Sequence, residues 1–127
     1  MSVPKFQEPI VYFDIDDTLV SWRCYPKISK NSIEFEDPQS KGSIYLNVIQ
    51  EHVEALKSHK LRGHTVILWS AGGADWAEEV MKKLGLSAYV DACMSKPNWF
   101  YDDLSANEFM PEINRKFFSK GNVGDGE

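Results

Sequence analysis

The stretch that decides the fold is Ile10-Val11-Tyr12-Phe13-Asp14-Ile15-Asp16-Asp17-Thr18-Leu19-Val20, an apolar run that ends in a cluster of acidic residues. Apolar residues flanked by turn formers predict a buried strand, with the carboxylates at its C-terminal end. In an open α/β sheet this end is where ligands bind. Asp14 and Asp16 can turn toward one crevice there, and their mutual repulsion favours a hard divalent cation, Mg²⁺ first. A polar turn and helix cap would explain a single Asp, but the cluster favours a metal site.

The whole chain has the size of one domain, and we expect a single domain over residues 1–127. It has no uninterrupted apolar stretch of the roughly 18 residues that a spanning helix needs. Its first residues lack the apolar centre of a signal peptide, so we expect a cytoplasmic protein without membrane contact. The net charge of −5 provides no generic attraction to nucleic acid, although it leaves a local basic site open.

After the first strand, residues 21–42 show no sustained period, and we interpret them as a flap over the site. Within the flap, the apolar/polar alternation of Ser32–Glu36 predicts a half-exposed hairpin strand. From Ser43 a helix is expected that ends near Lys60 or Gly63 and has Ser43 or Gly42 as its cap. The apolar residues that suggest this helix are Ile44, Leu46, Val48, Ile49, Val53 and Leu56.

The next predicted strand is His64–Ser70, an apolar, β-branched run that opens into the turn Ala71-Gly72-Gly73. Asp75 is the expected N-cap of the helix that follows, and Gly85 its stop. One face of this helix is formed by Ala77, Val80, Met81 and Leu84.

Two weaker strands complete the pattern. Ala88–Met94 leads to Lys96, and Trp99–Tyr101 runs directly into Asp102 and Asp103. Strands that alternate with helices predict an α/β fold with a parallel sheet. Beyond the last strand we expect a helix over Asn107–Phe118 and a frayed tail over about 119–127.

Four predicted strand ends therefore bring polar groups to one edge of the sheet, and their chemistry suggests phosphoryl transfer. A carboxylate can attack phosphorus to form an aspartyl phosphate. A second acid can protonate the leaving oxygen and later activate water. Mg²⁺ offsets the repulsion between anionic nucleophile and anionic substrate, while Ser70 and Lys96 hold phosphate oxygens.

These residues resemble the motifs of the haloacid dehalogenase (HAD) superfamily. Its phosphatases carry Asp-x-Asp-x-Thr after the first strand, a Ser or Thr after the second, then a Lys and a paired-Asp motif. Here the corresponding residues are Asp14-Ile15-Asp16-Asp17-Thr18, Ser70, Lys96 and Asp102-Asp103, in that order. The resemblance covers most of the chain from Ile10 to Asp103.

The resemblance implies a role for each matched residue. Asp14 would be the nucleophile and a Mg²⁺ ligand. Asp16 would be the general acid/base and would bind the metal through its backbone carbonyl. Ser70, Ala71 and Lys96 would bind the transferred phosphate. Asp102 would bind Mg²⁺, and Asp103 would bind it directly or through water, or orient the loop.

The resemblance also implies a three-layer, doubly wound, Rossmann-like HAD fold with a mainly parallel sheet. No stretch is long enough for a large cap domain, so we expect a capless member covered by the flap. An acid at Asp16 is typical of the phosphatases, which makes a Mg²⁺-dependent phosphomonoester hydrolase the expected function. The phosphorylated substrate is a small molecule, a phosphoprotein or a nucleic-acid end, and a homo-oligomer that covers the open site is compatible with the sequence.

Two other functions stay open at this point. One is a catalytically silent HAD-fold binding or regulatory domain, although such a domain has no need of both Asp14 and Asp16. The other is a phosphotransferase that passes the phosphoryl group to an acceptor other than water.

Several residues near the motifs have two interpretations. Lys82 and Lys83 compete with Lys96 but are expected on a solvated helix. Trp22 can stack on a base or sugar, or pack at the edge of the core. The pair Gly72-Gly73 can present backbone N–H groups to phosphate or form a plain turn. Thr18 is expected to hydrogen-bond within the loop, and His52, His59 and His64 have no assigned role.

Overall fold

A computed structural model describes residues 9–22, 32–36, 42–114 and 116. The chain divides into two compact units, with the boundary between Lys96 and Pro97. The single domain expected over 1–127 stays a prediction. The predicted tail over 119–127 and the flap segments 23–31 and 37–41 lie outside the described residues.

Six strands and three α-helices form the described structure. The strands are β1 (Ile10–Asp14), β2 (Val20–Ser21), β3 (Ser32–Glu36), β4 (Ser43–Val48), β5 (Thr65–Ser70) and β6 (Ala92–Ser95). The helices are α1 (Gln50–Leu61), α2 (Ala74–Lys83) and α3 (Ala106–Phe109), with short 3₁₀ helices at Ser87–Tyr89 and Glu112–Asn114.

The first unit contains a parallel sheet of three strands in the order β1-β5-β6. β5 is its middle strand, and Val66, Leu68 and Ser70 on one of its faces are fully buried. Among the described residues β1 pairs only with β5, so it is an edge strand of this sheet. Tyr12 on β1 is 37% exposed, although this strand is expected to be buried. The predictions of strands at β1 and β5, and of an α/β fold with a parallel sheet, are confirmed.

A second, antiparallel sheet in the order β2-β4-β3 precedes α1. The hairpin strand predicted at Ser32–Glu36 is confirmed as β3, which pairs with β4 along its whole length. The helix predicted from Ser43 is wrong over residues 43–48, because these residues form β4 between β2 and β3. The alternating burial of Ile44, Leu46 and Val48 follows the two-residue period of a strand.

The two long helices contribute apolar side chains to the core. α1 begins only at Gln50 and buries Val53 and Leu56. Its end at Leu61 agrees with the predicted stop. α2 begins after Gly73, so Asp75 lies in its first turn and the prediction that Asp75 is the N-cap is wrong.

The end of α2 was predicted correctly. The helix stops at Lys83, just before Gly85, whose φ of +69° places it in the left-handed region where glycine is favoured. Ala77 and Val80 are fully buried on the predicted apolar face.

The chain after α2 departs from the predicted strands. β6 is confined to Ala92–Ser95, because residues 87–89 form a 3₁₀ helix instead. The strand predicted at Trp99–Tyr101 is wrong: these residues pair with no strand in the described part of the chain, and Tyr101 is 90% exposed.

The helix predicted over Asn107–Phe118 is also largely wrong. Among the described residues of this range, 107–114 and 116, the helical elements are the short α3 and the 3₁₀ turn at Glu112–Asn114, with Pro111 between them. Proline lacks a backbone N–H and cannot continue a helix in its interior. Phe117 and Phe118 lie outside the described residues.

Two histidines meet where α1 leads into β5. His59 Nδ1 lies 2.9 Å from His64 Nδ1, so one ring donates and the other accepts, and the pair holds a single proton between these atoms. Burial, the Arg62 guanidinium and His64 together lower the pKa of His59 below its ordinary value near 6.5. The folded protein therefore favours neutral His59.

The free energy of unfolding is expected to fall as the pH drops below about 6.5. The unfolded chain binds a proton at His59 more readily than the folded chain does. The contribution of neutral His59 to the free energy of unfolding is therefore complete above the pKa that His59 has in the unfolded chain. It is lost as the pH falls toward the lower pKa of His59 in the folded chain. Urea unfolding at about pH 7.5 and about pH 5.5 measures this loss, and His59→Gln is expected to reduce it. Glu51→Gln, an exposed substitution on α1, is the control. Its free energy of unfolding should change between the two pH values as much as that of the wild type. If the free energy of unfolding of His59→Gln changes between the two pH values as much as that of the wild type, other groups cause the pH dependence.

Candidate active site

The parallel register brings Asp14, Ser70 and Lys96 to one edge of the sheet. Asp14 is the last residue of β1 and pairs in register with Trp69, the neighbour of Ser70. Ser70 in turn pairs with Ser95, and the Lys96 N–H donates to the Ser70 carbonyl at 2.8 Å. These three strands therefore place the matched residues of the first unit side by side.

The loop that follows β1 is a tight turn around one carbonyl group. The Ile15 carbonyl accepts the N–H groups of Thr18, Leu19 and Val20 at 3.2, 2.9 and 3.2 Å. Asp17 adopts a φ of +62°, which Asp tolerates better than most residues. Thr18 Oγ1 donates to Asp14 Oδ2 at 3.4 Å, so the hydrogen bond expected within this loop is confirmed.

The start of α1 supports the same loop from outside. The Ile49 N–H donates to the Leu19 carbonyl at 2.9 Å. His52 Nδ1 lies 2.8 Å from the Thr18 carbonyl, and because a carbonyl can only accept, this ring nitrogen donates. Sequence reasoning assigned His52 no role, since a contact between residues 34 positions apart has no local signal.

Asp14 and Lys96 form the charged centre of this edge. The Asp14 side chain is 32% exposed, and its Oδ1 lies 4.0 Å from the Lys96 amino group. The same amino group lies 5.7 Å from the centroid of the Trp69 ring, a distance at which the ring attracts the cation. Of the two competing lysines, Lys82 is exposed on α2 and Lys83 donates to the Glu34 carbonyl on β3.

Two indole groups hold the Asp16 carboxylate. Trp22 Nε1 and Trp76 Nε1 donate to the same oxygen, Asp16 Oδ1, at 2.9 and 3.0 Å. Trp22 therefore has a polar contact in addition to its packing. Sequence reasoning missed Trp76, because a tryptophan on the buried face of a helix is indistinguishable from any core residue.

The turn after β5 is closed by hydrogen bonds of its own. Ser70 is fully buried, and its Oγ accepts the Gly72 N–H at 2.9 Å, while its carbonyl accepts the Gly73 N–H at 3.0 Å. Both glycine N–H groups are thus used within the turn, as the plain-turn interpretation expects. Ala71 lies exposed at the tip.

Asp102 and Asp103 belong to the second unit, which begins at Pro97. Both are exposed, and Asp102 Oδ1 accepts the Leu104 N–H at 3.1 Å. The hydrogen bond with the Asp103 side chain, followed by that from Leu104, holds the pKa of the Asp102 carboxyl below its ordinary value. Their role as metal ligands stays a prediction.

The donor set suits a hard cation in part. Asp14 offers a partly exposed carboxylate, and Asp16 Oδ1 already accepts two N–H donors. The backbone carbonyl of Asp16 is the second ligand that the resemblance implies. Oxygen donors of these types are those that Mg²⁺ prefers. Across the described residues, no three His, Cys, Asp or Glu side chains are grouped as a metal site.

No protein-family model matches the sequence, and neither a curated protein nor a solved structure matches the chain. None of the helices in the described residues combines the length and the apolar character that crossing a bilayer requires.

Proposed function

We propose that the chain is a Mg²⁺-dependent phosphomonoester hydrolase of the HAD type that works through an aspartyl phosphate on Asp14. The observation that carries this proposal is the half-exposed Asp14 carboxylate at a strand end, 4.0 Å from the Lys96 amino group. A carboxylate beside a cation at the edge of a parallel sheet is suited to meet an anionic substrate. A three-layer, doubly wound fold without a large cap is part of the same proposal.

The reaction proceeds in two displacements at phosphorus. In the first, an Asp14 oxygen forms a bond to phosphorus, the bond to the leaving oxygen breaks, and Asp16 gives its proton to that oxygen. In the second, a water oxygen attacks the aspartyl phosphate, Asp16 takes the proton of the water, and the bond between Asp14 and phosphorus breaks. Asp16 thus returns to its initial state.

The phosphate is held by groups from the ends of β5 and β6. The Lys96 ammonium faces Asp14 and supplies positive charge for the transferred phosphoryl group. Ser70 and Ala71 complete this phosphate site in the proposal. Because Ser70 Oγ accepts the Gly72 N–H, its own hydroxyl hydrogen is left to donate.

Asp14 and the Asp16 backbone carbonyl would hold Mg²⁺ in the first unit. A metal-binding role for Asp102 and Asp103 stays a prediction from the sequence. When bound, the ion neutralises charge between the nucleophile and the phosphate. The test of the proposed function is phosphate release from an aryl phosphate, with and without Mg²⁺, by the wild type and by Asp14→Asn.

Lys96→Ala is expected to weaken substrate binding and kcat/KM by about ten- to a hundredfold, because a charged hydrogen-bond donor contributes about 1.5–3 kcal/mol. Steady-state kinetics and inhibition by inorganic phosphate measure this loss. Lys82→Ala removes an exposed charge from α2 and serves as the matched control, with kinetics expected to stay near those of the wild type. Equal effects of the two substitutions would show that Lys96 is not the phosphate-binding lysine.

A further inference from the structure

The Asp16 carboxylate receives its hydrogen bonds unequally. Within the described residues, both donors bind Oδ1, Trp22 Nε1 at 2.9 Å and Trp76 Nε1 at 3.0 Å. A carboxylate oxygen has two lone pairs in its plane, so two N–H donors leave Oδ1 without room for a proton. An indole N–H is a donor only and keeps its own hydrogen. The proton of this carboxyl group therefore belongs on Oδ2.

The two indoles are themselves held by packing. Trp76 is only 8% exposed on α2, and its ring centroid lies 5.4 Å from that of Phe35 on β3. Trp22 follows directly after β2 and lies 6.3 Å from the Trp76 ring. Phe35 is buried as well, and the Lys83 amino group lies 5.8 Å from its ring centroid. The antiparallel sheet and α2 thus fix both donors, and through them the rotamer of Asp16.

We propose that Trp22 and Trp76 are positioning residues for the acid/base step, a role that depends on the proposed phosphatase function. The two indoles orient Asp16 so that Oδ2 is the oxygen that transfers the proton. In the first displacement, the hydrogen on Oδ2 passes to the leaving oxygen as the bond from that oxygen to phosphorus breaks. In the second, Oδ2 takes a proton from the attacking water. Neither indole exchanges its own hydrogen in either step.

The test uses phenylalanine substitutions, which remove the N–H and keep an aromatic ring. Trp22→Phe and Trp76→Phe are compared with the wild type on phenyl phosphate and on 2,4-dinitrophenyl phosphate, with kcat/KM as the readout because it reports the first displacement. Phenolate needs a proton to leave, whereas dinitrophenolate leaves without one. We expect each variant to lose about tenfold or more on phenyl phosphate, because the indole hydrogen bond strengthens as Asp16 becomes charged on giving up its proton. The loss on the dinitrophenyl ester should be much smaller.

Trp99→Phe, an exposed substitution in the second unit, is the matched control and should leave both values unchanged. Equal losses on the two esters would show that the indoles only support the fold, and would overturn the inference. If Trp76→Phe does not fold, the test rests on Trp22→Phe alone. Trp22 is 44% exposed, so its substitution should leave the fold intact. A wild type that hydrolyses neither ester would defeat the proposed function itself, which separates that failure from the failure of the inference.

A second measurement tests the hydrogen bonds without turnover. The chain has four tryptophans, so its nitrogen–proton NMR spectrum contains four indole N–H signals. Asp16→Ala is expected to move the two signals that disappear in Trp22→Phe and Trp76→Phe. If these two signals stay in place, the paired hydrogen bonds do not exist and the inference is wrong.

Discussion

Asp14→Asn is expected to reduce Mg²⁺-dependent phosphate release to background while the thermal unfolding midpoint stays close to that of the wild type. An amide oxygen is too weak a nucleophile to form the covalent intermediate, so the two-step route is lost. The fold should survive, because Asn has the same shape and its carbonyl oxygen can still accept the Thr18 hydroxyl that Asp14 Oδ2 accepts. Asp14 is also partly exposed, so no buried charge loses its partner. Phosphate release from an aryl phosphate, with and without Mg²⁺, is the measurement.

Asp17→Asn is the matched control for this experiment. Asp17 is an exposed acid in the same loop, and Asn is among the few residues that tolerate its φ of +62°. Its side-chain oxygen can still accept the Trp22 backbone N–H, which now lies 3.3 Å from Asp17 Oδ1. Activity near that of the wild type is expected. Full activity in Asp14→Asn would remove the basis for the nucleophile, and equal loss in both variants would point to the charge of the loop as a whole.

The strand ends of the parallel sheet were predictable because their signal is local. β1 and β5 are short apolar runs rich in β-branched and aromatic residues, and each stops at a polar residue, Asp14 or Ser70. Parallel strands place such ends at one edge, so the proximity of Asp14, Ser70 and Lys96 follows from the pattern alone.

The antiparallel sheet was only half predictable. In residues 43–48 the apolar side chains recur every second residue, yet they continue into Ile49, Val53 and Leu56 at helical spacing. Pairing with β2 and β3 makes residues 43–48 a strand. This pairing is a tertiary interaction, so a short window of sequence does not reveal it. The predicted strand at Trp99–Tyr101 fails for the converse reason, since a β-prone composition forms no strand without a partner.

The contacts that shape the candidate site were the least predictable. Trp76 and Asp16 are 60 residues apart, and His52 is 34 residues from Thr18. These contacts form only when α1 and α2 pack beside the loop after β1. A motif in the sequence therefore predicts the reacting groups, while the contacts around them become visible only in the folded chain.

Asp16→Asn is expected to slow steady-state hydrolysis of phenyl phosphate by about 10²- to 10⁴-fold, the usual contribution of a general acid and base. The Asn carbonyl oxygen can accept both indole N–H groups in place of Asp16 Oδ1, so the orientation of the side chain is kept and only proton transfer is removed. With 2,4-dinitrophenyl phosphate the first displacement needs no acid. The variant should therefore release a burst of dinitrophenolate equal to the enzyme present and then stall as aspartyl phosphate on Asp14.

Stopped-flow absorbance and mass spectrometry of the acid-quenched protein measure the burst and the trapped phosphoryl group. The double variant Asp14→Asn/Asp16→Asn is the control. It should show neither the burst nor the trapped phosphoryl group, because its nucleophile is absent. Wild-type turnover of phenyl phosphate by Asp16→Asn would contradict the acid/base role. If the wild type, given an added alcohol, forms a phosphorylated alcohol in excess of released phosphate, the chain transfers phosphoryl groups instead of hydrolysing them. A hydrolase favours water as the acceptor, and in the second displacement Asp16 Oδ2 would take the proton of the attacking water.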